Sequence, residues 1–314
     1  MTIFAYHIIK KMQLHITSET GKLKEVVLGL PYSNGPAPTL EEAFDSKSYE
    51  SVKNGVYPTE QAIVREMEAF EAILKKHGVK VHRPALVTNC NQVFARDVGF
   101  VIDDKIIVSN IIPDRQAEID AYEPIYRNIH YKNIYNLPEA VHVEGGDVIL
   151  YNGIVFVGQY NFPDYPTVKT ARTNALAMDY LKMIFPDKDI VPLNLRKSDT
   201  DPYEGILHLD CTFMPVGRGK AIIYRDGFMN PRDAEHLVNV FGAENVFDLT
   251  REEMYWMNSN IFSISEDVVV VEEHFTRLKA WLEAQGITVE TVPYREISKM
   301  GGLLRCSTLP LVRE

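Results

Sequence analysis

The sequence predicts an α/β fold, a closed ring of five ββαβ units around a central cavity. Three observations predict it. Strand hairpins recur, turning at Asp103-Asp104, at Asn152-Gly153, near Arg218-Gly219 and at Glu266-Asp267. These turns lie 49, 66 and 48 residues apart (103 to 152, 152 to 218, 218 to 266). Each hairpin is followed by a helical segment and then a short strand, with no linker or low-complexity stretch between units. Repeats of about 50 residues indicate solenoids or propellers. Hairpin units cannot build one long parallel sheet, whereas a closed ring lets every unit bury its helix and protect its edges.

In chain order, Leu23–Gly29 is β-branched, bounded by glycine, and predicts the first strand. Pro31–Pro38, rich in Pro, Gly, Ser and Asn, predicts a loop. Ile63, Met67, Phe70 and Leu74 recur at helical spacing and predict a helix over Glu60–His77, which Gly78 closes. Val79–His82 starts a strand. Hairpins are predicted over Val98–Ser109, Asp147–Gly158, Cys211–Tyr224 and Ile261–Val271; Asn-Gly at 152–153 is the strongest short hairpin signal. The intervening helices are expected over Asp114–Asn128, Pro166–Ile184, Pro231–Phe241 and His274–Gln285. The short strands are expected over Asn133–Tyr135, Asp189–Leu193, Asn245–Phe247 and Thr288–Pro293. The first unit, Leu23–Pro84, fits the pattern only loosely.

The 314 residues are 46% hydrophobic and 24% charged, ordinary for a globular protein with a substantial core. A net charge of -10 without basic blocks argues against nucleic acid and anionic membrane as partners, and is compatible with a small cationic ligand. Cys90, Cys211 and Cys306 are an odd set without regular spacing, neither a disulfide framework nor a zinc motif. A reducing, cytoplasmic setting is expected. The apolar run Ile3–Ile9, interrupted by His7, is too short to span a bilayer, and Met12 is an alternative start.

In such a ring, residues just before successive hairpins converge at the centre. Those positions carry Arg96-Asp97, Glu144-Gly145-Gly146-Asp147 and His208-Leu209-Asp210; after the fifth unit comes Gly301-Gly302 with Cys306. His208 and Asp210, two apart, share one face of a strand. A cysteine with a histidine supplies a nucleophile and a general acid/base, and a carboxylate on the histidine supports its charged form. Two further carboxylates in the same cavity repel unless a cation lies between them. A planar guanidinium is such a cation, held by bidentate charge-assisted hydrogen bonds.

The motifs Arg96-Asp97, Glu144-Gly145-Gly146-Asp147, His208-Leu209-Asp210-Cys211-Thr212-Phe213 and Gly301 through Arg313 together resemble the guanidino-group-modifying (pentein) superfamily: amidinotransferases, arginine deiminases and dimethylarginine dimethylaminohydrolases. The similarity runs from about Thr20 to the end. It implies a five-bladed α/β propeller with a single catalytic domain over 20–314, and leaves 1–19 as an N-terminal extension without fixed structure. It further implies Cys306 as nucleophile, His208 as general acid/base, Glu144 as the partner of the histidine, and Asp97 and Asp210 as guanidino-binding carboxylates. Arg172, in Ala171-Arg172-Thr173-Asn174, and more weakly Arg115, match arginines that grip a substrate α-carboxylate. No metal or organic cofactor is required, and a homodimer is left open. The chain is too short for the helical insertion of arginine deiminases. Its N-terminal segment is more similar to amidinotransferases, and its Arg172 segment to the dimethylarginine hydrolases.

The leading expectation is a cysteine hydrolase acting on arginine or a modified arginine, by way of a thiouronium-type intermediate. The alternative is an amidinotransferase with an acceptor amine. A non-catalytic binding propeller leaves the Cys-His-Glu-Asp set without purpose, and a thiol protease leaves the extra carboxylates without one.

Overall fold

The computed structural model describes residues 11–314. Among these residues, fifteen strands form five three-stranded sheets. They are β1 (Leu23–Leu28), β2 (Lys80–His82), β3 (Gly99–Ile102), β4 (Lys105–Val108), β5 (Ile134–Asn136), β6 (Val148–Tyr151), β7 (Ile154–Gln159), β8 (Asp189–Asn194), β9 (Phe213–Val216), β10 (Lys220–Ile223), β11 (Val246–Asp248), β12 (Phe262–Ser265), β13 (Val268–Glu272), β14 (Thr288–Val292) and β15 (Thr308–Arg313). Four sheets repeat one plan: an antiparallel hairpin whose second strand pairs in parallel with the strand that follows the connection. This is the α/β five-bladed architecture that the repeats predict.

The first unit fits loosely for a topological reason. β1 has no hairpin partner of its own; the last strand, β15, pairs antiparallel to it while β2 pairs in parallel. The two ends of the chain therefore complete one blade together, and that closure places the loop before β15 at the hub.

The hairpin turns follow local chemistry. Asn152 and Gly153 both have positive φ, 47° and 82°, as a two-residue turn matched to strand twist requires. The helix Glu60–Lys76 is capped by Thr59 and buries Ile63, Met67, Phe70 and Leu74. Phe70 packs edge-on against Phe262 and Tyr294, joining the first blade to the fifth. Two apolar clusters carry the core, one centred on β3–β8 and the other on β1 and β9–β14.

Three expectations are corrected. The helix expected over Asp114–Asn128 is broken into short turns, Pro113–Arg115, Ala117–Asp120 and Glu123–Tyr126. Pro124 cannot donate to the carbonyl one turn back, so a new helical turn starts beside it. The helix expected over Pro166–Ile184 begins only at Leu176. Its first ten residues are held out of helix by tertiary bonds: Thr170 donates to Asp199, and Thr173 Oγ1 donates to Asp147 Oδ2 at 2.7 Å. The extension expected over 1–19 is in part built into the fold. Leu14 and Ile16 are buried, Ile16 exchanges backbone hydrogen bonds with Asp103, and Glu19 is buried at the hub. The apolar run Ile3–Ile9 lies outside the described residues. Among those described, no helix is long and apolar enough to cross a membrane.

Candidate active site

The turns that precede the hairpins form a continuous hub. Ala95–Val98 leads into β3, Gly145–Asp147 into β6, Leu209–Cys211 into β9, and Asn258–Asn260 into β12. Hydrogen bonds stitch them together. Leu209 N–H donates to Asp147 Oδ1 at 2.9 Å, and Ser259 Oγ donates to the Asp210 carbonyl at 2.8 Å. Arg96 N–H donates to the Cys306 carbonyl at 2.9 Å. Cys306 sits in the turn before β15, so closure of the ring brings it to the same centre.

His208 is fully buried, and its Nε2 meets Glu144 Oε2 at 2.8 Å. Its Nδ1 points towards Asp97 Oδ1 at 3.8 Å, and neither atom has a hydrogen-bond partner among the described residues. The ring lies so close to Gly146 that a Cβ there would stand 2.6 Å from His208 Cγ and Nδ1. A side chain at 146 would therefore displace the histidine, which explains the glycine. Ligand atoms of His208, Asp210 and Cys306 lie within 4.8 Å of one another, as do those of Asp97, Glu144 and His208. These are donor types that zinc accepts, but Glu144 and Asp210 are already ion-paired.

Each carboxylate has an arginine of its own. Arg172 Nη1 donates to both Glu144 oxygens at 3.2 and 3.1 Å. Arg115 Nη1 donates to Asp97 Oδ2 at 2.6 Å, while its Nε and Nη2 grip Glu118 at 2.7 and 2.8 Å. Arg305 Nη1 donates to Asp210 Oδ2 at 2.9 Å, and its Nη2 donates to Glu19 Oε1 at 2.8 Å. Burial works against the charge on Glu144, yet Arg172 and His208 outweigh it and hold its carboxyl below the usual range. Burial likewise opposes the His208 charge, but Asp97, Cys306 and Glu144 raise its pKa well above the ordinary imidazole value. For Cys306, the Cys211 thiol, burial and the Asp210 carboxylate push the thiol well up, and His208 pulls it back.

A cavity of about 360 Å³ opens over this group. Cys306, His208 and Asp97 lie in its wall, with Arg115 and Arg172. Its other charged groups are all acidic: Glu42, Asp45, Asp114 and Glu118. An excess of carboxylates around one opening favours a cationic occupant.

A sequence profile described as N,N dimethylarginine dimethylhydrolase, eukaryotic, matches residues 41–313. The chain belongs to this N,N dimethylarginine dimethylhydrolase family. Membership places it among the guanidino-group-modifying enzymes that its motifs resemble. An uncharacterized protein of Bacillus subtilis, YkgA, is 28% identical over 299 residues, spanning 94% of each chain. The structure of SxtG, an amidinotransferase of the saxitoxin pathway of Microseira wollei, is similar with a TM-score of 0.75 at 17% identity, covering 96% of this chain and 97% of that one. The N-terminal domain of ArgZ, a cyanobacterial arginine dihydrolase, is similar with a TM-score of 0.75 at 18% identity, covering 93% and 98%.

In this member of the dimethylarginine dimethylhydrolase family, Cys306, His208, Glu144, Asp97 and Asp210 come together as the sequence register expects. The expectation that a ligand cation must separate the carboxylates is corrected, because Arg115, Arg172 and Arg305 already do so. Asp210 lies behind Cys306, its oxygens 3.7 and 3.8 Å from Sγ, and does not line the cavity; nor does Glu144. Arg172 and Arg115, expected to grip a substrate carboxylate, reach the cavity with much of their donor capacity spent. Arg172 Nε and Nη2 also donate to the carbonyls of Lys169 and Phe44 at 2.6 and 2.7 Å.

Two site residues are absent from the sequence reading. Asp45 lines the cavity and caps the helix Ser46–Lys53, accepting from Lys47 and Ser48 N–H at 2.9 Å. Gly301, at φ 87°, leaves no room for a side chain, since a Cβ there would stand 2.3 Å from the Asp45 carboxylate. Asn260 touches Cys306 directly. It occupies the pre-hairpin position of the fifth unit, so extending the repeat register by one unit would have found it.

Proposed function

We propose that the protein hydrolyses a C–N bond in the guanidino group of arginine or an N-methylated arginine. The observation that carries this reading is one cavity lined by Cys306, His208 and Asp97, where His208 Nδ1 and Asp97 Oδ1 are buried without a hydrogen-bond partner among the described residues. The guanidinium donates to Asp97 Oδ1 and presents its central carbon to Cys306. The thiolate attacks that carbon, forming a C–S bond and a tetrahedral adduct. His208, charged at rest, gives its proton to the departing nitrogen as the C–N bond breaks, leaving a thiouronium on Cys306. His208 then takes a proton from water, whose oxygen adds to the same carbon. Collapse breaks the C–S bond, returns the Cys306 thiolate, passes the adduct's hydroxyl proton to solvent and releases a ureido product of the citrulline type. General acid–base help of this kind contributes about 10² to 10⁴-fold. Cys211, burial and Asp210 disfavour the thiolate, so a guanidinium bound beside the sulfur favours it, the thiol proton passing to solvent. The three free thiols suit a reducing, cytoplasmic setting, and residues 11–314 serve as one catalytic domain.

A second reading, transfer of the amidino group to an acceptor amine, draws support from the acidic rim of Glu42, Asp45 and Asp114, where an amine would be held. One experiment tests both. The protein is incubated in ¹⁸O water with arginine and methylated arginines, with and without amine acceptors, and products are followed by mass spectrometry. Hydrolysis puts ¹⁸O into a ureido product without any acceptor; a guanidino product that appears only with an acceptor means transfer. Cys306→Ser is expected to abolish turnover with an unchanged melting curve. Wild-type turnover in that variant would remove Cys306 from the reaction.

A further inference from the structure

We propose that Asn260 is a catalytic residue: its side-chain amide donates a hydrogen bond to the Cys306 sulfur and stabilises the thiolate that attacks substrate. Cys306 N–H donates to Asn260 Oδ1 at 3.1 Å. That bond settles the orientation of the amide, since only the oxygen can accept from an N–H. The opposite end of the amide, Nδ2, therefore faces Sγ, also at 3.1 Å. A neutral thiol sulfur is a weak acceptor, whereas a thiolate accepts a charge-assisted bond. The contact thus favours the reactive form over the resting form.

The surrounding turn is built to hold this amide. Asn260 is wholly buried, its N–H bonds to the Met257 carbonyl at 2.9 Å, and Met257 sits at φ 61° without being glycine. Such left-handed residues persist where the surroundings over-determine them, and they cluster at functional sites. The charges around the sulfur make a donor necessary. Asp210, from the turn before β9, puts both oxygens within 3.8 Å of Sγ and opposes negative charge there. Cys211, on the same turn, and Tyr294, before the last helical turn, add no positive charge. Asp97 shares the cavity wall. Arg305 is committed to Asp210 and Glu19, and among the described residues the Arg96 side chain donates to the Arg305 carbonyl and Thr308 Oγ1. His208 supplies one favourable contact from the turn before β9, and Asn260 supplies the other from the turn before β12.

The proposal rests on Cys306 as the nucleophile, but its test needs no substrate. The rate of Cys306 alkylation by iodoacetamide is measured against pH in the full chain, resolved from Cys90 and Cys211 by peptide mass spectrometry. Asn260→Ala removes both the acceptor for Cys306 N–H and the donor to the sulfur, and Asn260→Leu removes both at nearly the same volume; neither adds charge. In whichever variant melts as the wild type does, the alkylation midpoint is expected to rise by at least one pH unit. That is about tenfold slower labelling at neutral pH, the size of a hydrogen bond to a charged group. An unchanged midpoint in a folded variant would overturn the proposal and leave Asn260 a loop anchor. Absence of turnover with every guanidino compound would refute the proposed reaction, while the alkylation profile would still decide the role of Asn260.

Discussion

At the scale of single residues, the site is governed by how its charges are paired. Asp97, Glu144 and Asp210 look from the sequence like three free carboxylates waiting for one cation. In the fold each carries a buried arginine, and removing one member of such a pair leaves an uncompensated charge at a cost of about 3–5 kcal/mol. Arg172 shows the consequence. It holds Glu144, which in turn holds His208, so on the proposed reading Arg172 positions the imidazole. Arg172→Ala is expected to lower kcat about 10- to 100-fold through the misplaced acid/base and to lower the melting temperature. Steady-state kinetics check this; a rise in KM at constant kcat would instead put Arg172 on the substrate. The charge on His208 also has a definite pH dependence. Its folded value is raised, so its contribution to stability is complete below the unfolded value of about 6.5 and is lost as pH rises through the higher folded value.

At the scale of elements, hairpins were legible and helices less so. The four turns stand where Asp-Asp, Asn-Gly, Arg-Gly and Glu-Asp interrupt β-branched runs, because turn conformation is decided within a few residues. Pro231–Phe241 matches its expected bounds, with Asn230 capping its start and Gly242 ending it at φ 82°. Asp114–Asn128 does not, because apolar spacing says nothing of the proline within it or of the ion pairs its first turn makes with Asp97. The pre-hairpin turns are the elements that matter most for chemistry. Gly146→Ala tests one of them. The added methyl meets the His208 ring at 2.6 Å, so the ring must shift. Activity is expected to fall at least tenfold, while stability drops by about 1–3 kcal/mol, as for overpacking. Unchanged turnover would mean that the imidazole tolerates displacement.

At the scale of the whole molecule, ring closure and site assembly are one event. β15 pairs with β1 and completes the first blade, and the turn ahead of β15 delivers Arg305 and Cys306 to the hub. Arg305 then binds Glu19, 286 residues away in sequence. Burial disfavours the Glu19 charge, but Arg305, with Arg96 and Arg313 near it, lowers its pKa from 4.5 to about 2. A lowered carboxylate contributes stability above its unfolded pKa that disappears as pH falls through the folded one, here about 3 kcal/mol between pH 4.5 and 2. Denaturant melts of the wild type against Glu19→Gln check this. The variant is expected to be the less stable at pH 7, with the gap narrowing toward pH 2. A gap independent of pH would mean that the pair does not titrate as described.

The sequence by itself determined the repeat, the hairpin turns and the residue types gathered near the centre. Those are set by local backbone preference and by the period of the units, and both can be read along the chain. Only the tertiary structure decided which arginine answers which carboxylate, that Asp210 backs the sulfur without facing the cavity, and that Asn260 reaches Cys306. Those pairings join side chains from different blades, and their distances exist only once the first and last strands have closed the ring.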